Sequence, residues 1–202
     1  MAMKFLIHIR KNNTMVNRTR ENIIAAFFRY AQKHPLKTSV TLSEIAKEAQ
    51  ISKQAVYQKH FSSMDELIQE IHKIMTAEIL KELYKIPEDN KCPLFEELAD
   101  SVLPIIHKYR EGLKILYNTS LDSTWISFVE ENYRSWLVPR IKIDVSQLEV
   151  SEKFFLKYIS RQIVSLIALW ISEDKPCPPE IYKPIFLNFL NCSLNNLIND
   201  KV

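Results

Sequence analysis

Residues 41–61 read TLSEIAKEAQISKQAVYQKHF. The stretch opens Thr41-Leu42-Ser43-Glu44, the Ser/Thr-x-x-Glu form in which a side-chain oxygen caps a free helical N–H and the glutamate returns the bond. A helix is therefore predicted from Leu42, with Leu42, Ile45, Ala46 and Ala49 turned inward. Gln50-Ile51-Ser52 breaks the run, so this helix is only about two turns long. Ser52 is a second cap, opening another short helix from Lys53 towards His60 with Ala55 and Val56 as its inner contacts.

Longer apolar helices flank this pair. Upstream, from Arg18, the residues Ile23, Ile24, Phe27, Phe28 and Ala31 recur at three-and-four spacing until Pro35 stops the pattern. Downstream, Ser63-Met64-Asp65-Glu66 is a third capping box, leading into Leu67, Ile68, Ile71, Ile74, Met75, Ile79 and Leu83, with Pro87 marking the far end. Two short capped helices braced by longer ones describe a helix-turn-helix unit whose second helix can enter a major groove. That second helix carries Lys53, Gln54, Tyr57, Gln58, Lys59 and His60, too many polar groups to be core. Their types suit phosphate contacts by Lys and Tyr and base-edge hydrogen bonds by Gln.

Composition removes the main competitors. Gly112 is the only glycine among 202 residues, which excludes the glycine-rich loops that cradle nucleotide phosphates and disfavours tight hairpins. With 47% hydrophobic residues the chain can bury a real core, and an all-α fold follows. The net charge of +3 is too small to identify a partner by itself. Cys92, Cys177 and Cys192 are odd in number and far apart, which fits a reducing cytoplasm. The five histidines have no metal-ligand spacing, and Glu96-Glu97 and Glu130-Glu131 are adjacent pairs pointing in different directions. No catalytic residue, metal or cofactor is expected. The longest apolar run, Val164 to Ile171, is too short to cross a bilayer, so neither export nor a membrane partner is expected.

The stretch from Arg18 to Leu83 resembles the DNA-binding head of the TetR family. The likeness rests on the helix around Glu21 to Ala31, on Thr41-Leu-Ser-Glu-Ile-Ala-Lys-Glu-Ala49, on Ile51-Ser-Lys-Gln-Ala-Val-Tyr57, and on His60-Phe61 followed by Ser63 and Leu67. It covers about a third of the chain. The resemblance implies that Thr41 touches phosphate from its helix end, that Lys53 and Gln54 face the groove, and that Tyr57 anchors on phosphate. The expected DNA-binding set is Thr41, Ser52, Lys53, Gln54, Ala55, Tyr57, Gln58, Lys59 and His60. It further implies a dimer that blocks transcription until a small ligand enters the body. Three positions depart from the family pattern. Gln50 stands where the turn usually has Gly, Tyr57-Gln-Lys-His-Phe61 is one residue longer than usual, and Met64 replaces a Lys.

The organisation expected is a basic extension over 1–17, a helix-turn-helix head over 18–86 and, past the polar turn Pro87-Glu88-Asp89-Asn90, a helical body over 91–202, about nine helices in all. Body helices are predicted over 94–109, 111–118, 123–139, 151–172 and 179–198. The fourth of these is apolar on more than one face, so something must cover the excess. A twofold interface is expected from Phe155, Ile159, Ile163, Leu166 and Trp170, together with Phe186, Phe189, Leu190 and Leu197. Such a homodimer would read a palindromic double-stranded site. A pocket for a small-molecule effector would draw on His107, Tyr109, Tyr117, Trp125, Phe128, Tyr133 and Trp136. The competing reading is a helical protein-interaction or small-molecule-binding module without DNA binding.

Overall fold

The computed structural model describes residues 15–89, 93–144 and 149–191, with side chains from Arg18 onward. These form nine helices and no strand among the described residues: α1 (Met15–Lys33), α2 (Leu42–Glu48), α3 (Lys53–Lys59), α4 (Met64–Leu83), α5 (Leu94–Lys108), α6 (Arg110–Asn118), α7 (Trp125–Leu137), α8 (Glu152–Ser172) and α9 (Pro179–Asn191). The predicted starts lie within two residues of those seen after residue 93, because caps and prolines act locally.

Two compact units result, one of residues 1–78 with 109–126, the other of 79–108 with 127–202. They differ from the linear split at 87–90 expected from the turn residues. Pro87 to Asp89 lie in a turn inside the second unit, because packing decides which surfaces meet. In the first unit α6 packs on α1, and the Ser120 N–H donates to the Pro35 carbonyl at 2.8 Å. Its core comprises Ile23, Ile24, Phe27 and Phe28 of α1, Leu42 and Ile45 of α2, and Leu67, Ile71 and Met75 of α4. A buried polar pair also ties it: His72 Nε2 of α4 lies 2.6 Å from Asp122 Oδ2, and the Thr124 N–H and hydroxyl donate to Asp122 Oδ1 at 3.0 and 2.7 Å. Burial pushes the Asp122 carboxyl up, but the bonds from His72 and Thr124 outweigh it and hold the group below its ordinary range.

In the second unit α9 packs on both α5 and α8. Ile163, Val164, Ile167, Trp170 and Ile171 of α8 are buried with Leu98, Val102 and Leu103 of α5 and Phe186 of α9. The Trp170 ring stacks on Tyr182 at 4.4 Å and its N–H donates to the Cys177 carbonyl at 3.0 Å. The Trp136 N–H donates to the Leu83 carbonyl at 2.8 Å, so both deeply placed indoles have their polar edge satisfied. By length and composition alone α8 could cross a membrane. In the fold seven of its 21 residues are buried within this unit.

Candidate nucleic-acid interface

The site is built from caps. Thr41 Oγ1 accepts the Glu44 N–H at 3.2 Å while Glu44 Oε2 accepts the Thr41 N–H at 2.7 Å, so the first capping box is complete. Glu44 also accepts from Lys37 Nζ at 2.7 Å and from the Tyr30 hydroxyl at 2.8 Å. The ammonium of Lys37, then the Thr41 donors, then Tyr30 pull its carboxyl down to about 2. The Thr41 hydroxyl itself donates to Glu44 at 2.8 Å, so its role in the free protein is that of a cap.

The turn that follows explains how the chain manages without glycine. Gln50 takes a left-handed backbone, φ 58°. Its N–H donates to the Lys47 carbonyl at 3.1 Å, and the Ile51 N–H reaches back to the Ala46 carbonyl at 3.0 Å. This is the Schellman pair of bonds that ends a helix, here closed with a side-chain-bearing residue at the position glycine favours. The exposed amide side chain of Gln50 meets no obstacle in water.

Ser52 then caps α3, accepting the Ala55 N–H at 3.2 Å. Of the seven residues of α3 only Val56 is buried. Ser52, Lys53, Gln54, Tyr57, Gln58 and Lys59 are exposed, whereas Ala55 and His60 are half-buried. Lys53 Nζ lies 5.6 Å from the centre of the Tyr57 ring, so an ammonium and a phenol stand together on the outer face. The site thus offers two ammonium groups, two amides and a phenol on one short, outward-facing helix. The third expected capping box forms with a shift: Ser63 Oγ accepts the Glu66 N–H, but the Glu66 carboxylate receives the Ser62 N–H and hydroxyl instead of the Ser63 N–H.

The extra residue between Tyr57 and Phe61 is absorbed at the end of α3. The N–H groups of both His60 and Phe61 donate to the Val56 carbonyl at 3.0 Å, and Phe61 drops into the core. The His60 carbonyl receives Arg20 Nη1 from α1 at 2.6 Å, and the Arg20 guanidinium lies 4.2 Å over the Phe61 ring. His60 Nδ1 is buried and has no hydrogen-bond partner among the described residues. Desolvation, then the charges of Arg20 and Lys59, hold its imidazole below the ordinary histidine range. Sequence reading missed Arg20, Asn22 and the Tyr30–Lys37–Glu44 cluster, because nothing in a helical period says which polar side chains will meet a neighbouring turn.

The other expected sites are redistributed by the fold. Of the seven pocket residues, Tyr109, Tyr117 and Trp125 belong to the first unit and His107, Phe128, Tyr133 and Trp136 to the second. Trp125, Tyr133 and Trp136 are core residues, and Tyr117, whose hydroxyl is pushed upward by burial, sets its ring edge-on to Trp125 at 5.7 Å. His107 stacks on Trp170 at 5.7 Å. Of the residues expected at a dimer interface, Ile163, Leu166, Trp170 and Phe186 are buried within the one chain. Phe155, Ile159 and Leu190 are half-buried, Phe189 is exposed, and Leu197 lies outside the described residues, as do residues 1–14. The outward apolar side chains of α8 and α9 are instead Phe154, Tyr158, Leu169, Ile181, Ile185 and Phe189.

Capped helices, a tight turn and a polar second helix standing out from its bracing helices define a helix-turn-helix head. Residues 38–71, from the approach to α2 into α4, match the family described as bacterial regulatory proteins, tetR family. The chain is 26% identical over 188 residues to the uncharacterized HTH-type transcriptional regulator YxbF of Bacillus subtilis (strain 168). That likeness takes in 87% of this chain and 45% of the relative, so the chain spans about half the relative's length. The fold is similar to the crystal structure of a TetR transcriptional regulator from Streptococcus agalactiae 2603V, with a TM-score of 0.55, 16% identity, and 87% of this chain and 94% of that one covered. Residues 38–71 thus carry a helix-turn-helix motif of the tetR type, and the fold of the chain is similar to that of a TetR transcriptional regulator.

Proposed function

We propose that the chain binds double-stranded DNA sequence-specifically through α3 and regulates transcription as a ligand-responsive repressor in the cytoplasm. The observation that carries this reading is α3 itself: a capped helix with one buried side chain and its Lys, Gln and Tyr groups facing outward. Lys53 and Lys59 supply the salt-sensitive attraction to phosphate, and Gln54 and Gln58 the amides that can pair with adenine edges. Phe154, Tyr158, Leu169, Ile181, Ile185 and Phe189 are the residues we assign to a homodimer interface, since large apolar side chains exposed on α8 and α9 favour burial against a second copy. Two heads on a twofold axis then read a palindromic operator, with half-sites about 34–36 Å apart on successive turns of duplex. An unidentified small-molecule effector acting through the helical body is the accompanying expectation.

Selection from a pool of randomised duplexes, followed by fluorescence anisotropy at several salt concentrations, tests this. An enriched palindrome is expected, with affinity falling steeply as salt rises. Changing Lys53, Gln54 and Tyr57 together to Ala should abolish that binding while leaving the melting temperature nearly unchanged, because all three side chains are exposed. Undiminished affinity in the triple variant would refute the assignment of α3. Light scattering of Phe154→Glu with Phe189→Glu should show a monomer where the parent chain is a dimer.

A further inference from the structure

A recognition helix must be held at a definite angle to read base edges, yet α3 has almost no apolar surface with which to hold itself. Only Val56 is buried along its seven residues, and one side chain fixes a point, not a direction. What stands at its two ends therefore matters. Before its start, Asn22 Nδ2 of α1 donates to the carbonyl of Ala49, the residue at which α2 stops, at 3.0 Å. At the far end, Arg20 Nη1, also of α1, donates to the carbonyl of His60 at 2.6 Å. The guanidinium is held in place in turn by the Phe61 ring at 4.2 Å and by Glu70 of α4 at 3.6 Å.

The chemistry of both contacts suits helix ends. The last carbonyls of a helix have no partner within it, and the negative end of the helix dipole favours a cation beside it. Arg20 supplies that cation at the end of α3, beside the His60 carbonyl. Its planar fork can hydrogen-bond forward while its face lies on an aromatic ring, which a lysine cannot reproduce. Arg20 and Asn22 thus bracket the turn and the recognition helix between two points 11 residues apart in sequence, Ala49 and His60.

We propose that Arg20 and Asn22 are positioning residues for DNA reading: from α1 they grip backbone carbonyls on either side of α3 and set its angle without touching the duplex themselves. This inference rests on the DNA-binding reading. It separates two quantities that a direct contact would join. A residue that contacts phosphate contributes to the salt dependence, and its loss lowers the slope of log affinity against log salt by about 1. A residue that only aims the helix lowers affinity for the selected sequence and leaves that slope alone.

The test uses the full chain and the palindrome enriched from randomised duplexes, with a scrambled duplex of equal length beside it. Asn22→Ala, which changes no charge, should weaken binding to the selected duplex about tenfold and leave scrambled-duplex binding unchanged. Arg20→Gln should weaken selected binding at least as much with an unaltered salt slope, and Arg20→Lys should restore part of the loss. Lys53→Ala is the direct-contact control, expected to lower the slope by about 1. A slope lowered by about 1 in Arg20→Gln overturns the proposal, as does parental discrimination between the two duplexes in folded Asn22→Ala. Should Arg20→Gln fail to fold, as judged by circular dichroism, Asn22→Ala and Arg20→Lys decide the matter. A parent chain that enriches no duplex at all sinks the DNA reading and this inference with it, an outcome distinct from variants that bind as the parent does.

Discussion

Helices α3 and α8 are placed by different physics. The first has seven residues and one buried side chain, with hydrogen bonds at both ends: Ser52 accepts the Ala55 N–H and Arg20 donates to the His60 carbonyl. The second has 21 residues, seven of them buried, among them Trp170 stacked on Tyr182. Burial of one large apolar side chain is worth about 1.5–3 kcal/mol, whereas a cap is worth about 1 kcal/mol. The comparison teaches that the helix proposed to meet DNA is kept polar and carries directional bonds at its ends, while the helix that secures the fold relies on area. A helix held by its own apolar face would have hidden the side chains it must present.

The hardest blow to that contrast is Trp170→Ala. Removing a buried, stacked indole should lower stability by about 3–5 kcal/mol, read from urea unfolding. A loss below about 1 kcal/mol would mean that α8 is not placed by burial. Next comes Asp122→Ala, which removes the buried carboxylate that meets His72 and Thr124 and should lower stability by about 2 kcal/mol. Both values far exceed what any change on the outer face of α3 should do. Thr41→Ala removes one side of a complete capping box and should lower stability by about 1 kcal/mol. A change as large as that of Trp170→Ala would put the caps on a par with the core and dissolve the distinction.

Acid should expose the polar side of the comparison. The Glu44 carboxyl is held near 2 in the fold against an ordinary value of 4.5, so its contribution is complete above about pH 4.5 and fades as pH falls towards 2. Glu44→Gln should therefore flatten the acid limb of a melting-temperature profile while leaving the neutral region only slightly lower. An acid limb of parental steepness in that variant would remove Glu44 from the account. The smallest expected change is a gain: Gln50→Gly relieves a left-handed residue but loosens the unfolded chain, for a net stabilisation of about 0.5 kcal/mol in urea unfolding.

Much of the candidate site was legible in residues 41–61. Thr41 with Glu44 and Ser52 with the Ala55 N–H act over three residues, so the caps, the two short helices and the outward polar set could be read without knowing where the rest of the chain lies. The left-handed Gln50 was legible as a question, because a position that wants glycine must either bend as glycine does or change the turn.

What only the tertiary structure decided is which surfaces close on one another. Helix α8 is apolar on more than one face, so its period does not choose between Ile163 and Trp170, which turn inward, and Phe154 and Tyr158, which stay out. The meeting of His72 with Asp122, 50 residues away, and of Arg20 with the His60 carbonyl, 40 residues away, depends on where the chain returns. Local bonds are written in neighbouring residues. Faces and distant pairs are settled by packing, where many weak contacts compete at once and no short stretch holds the answer.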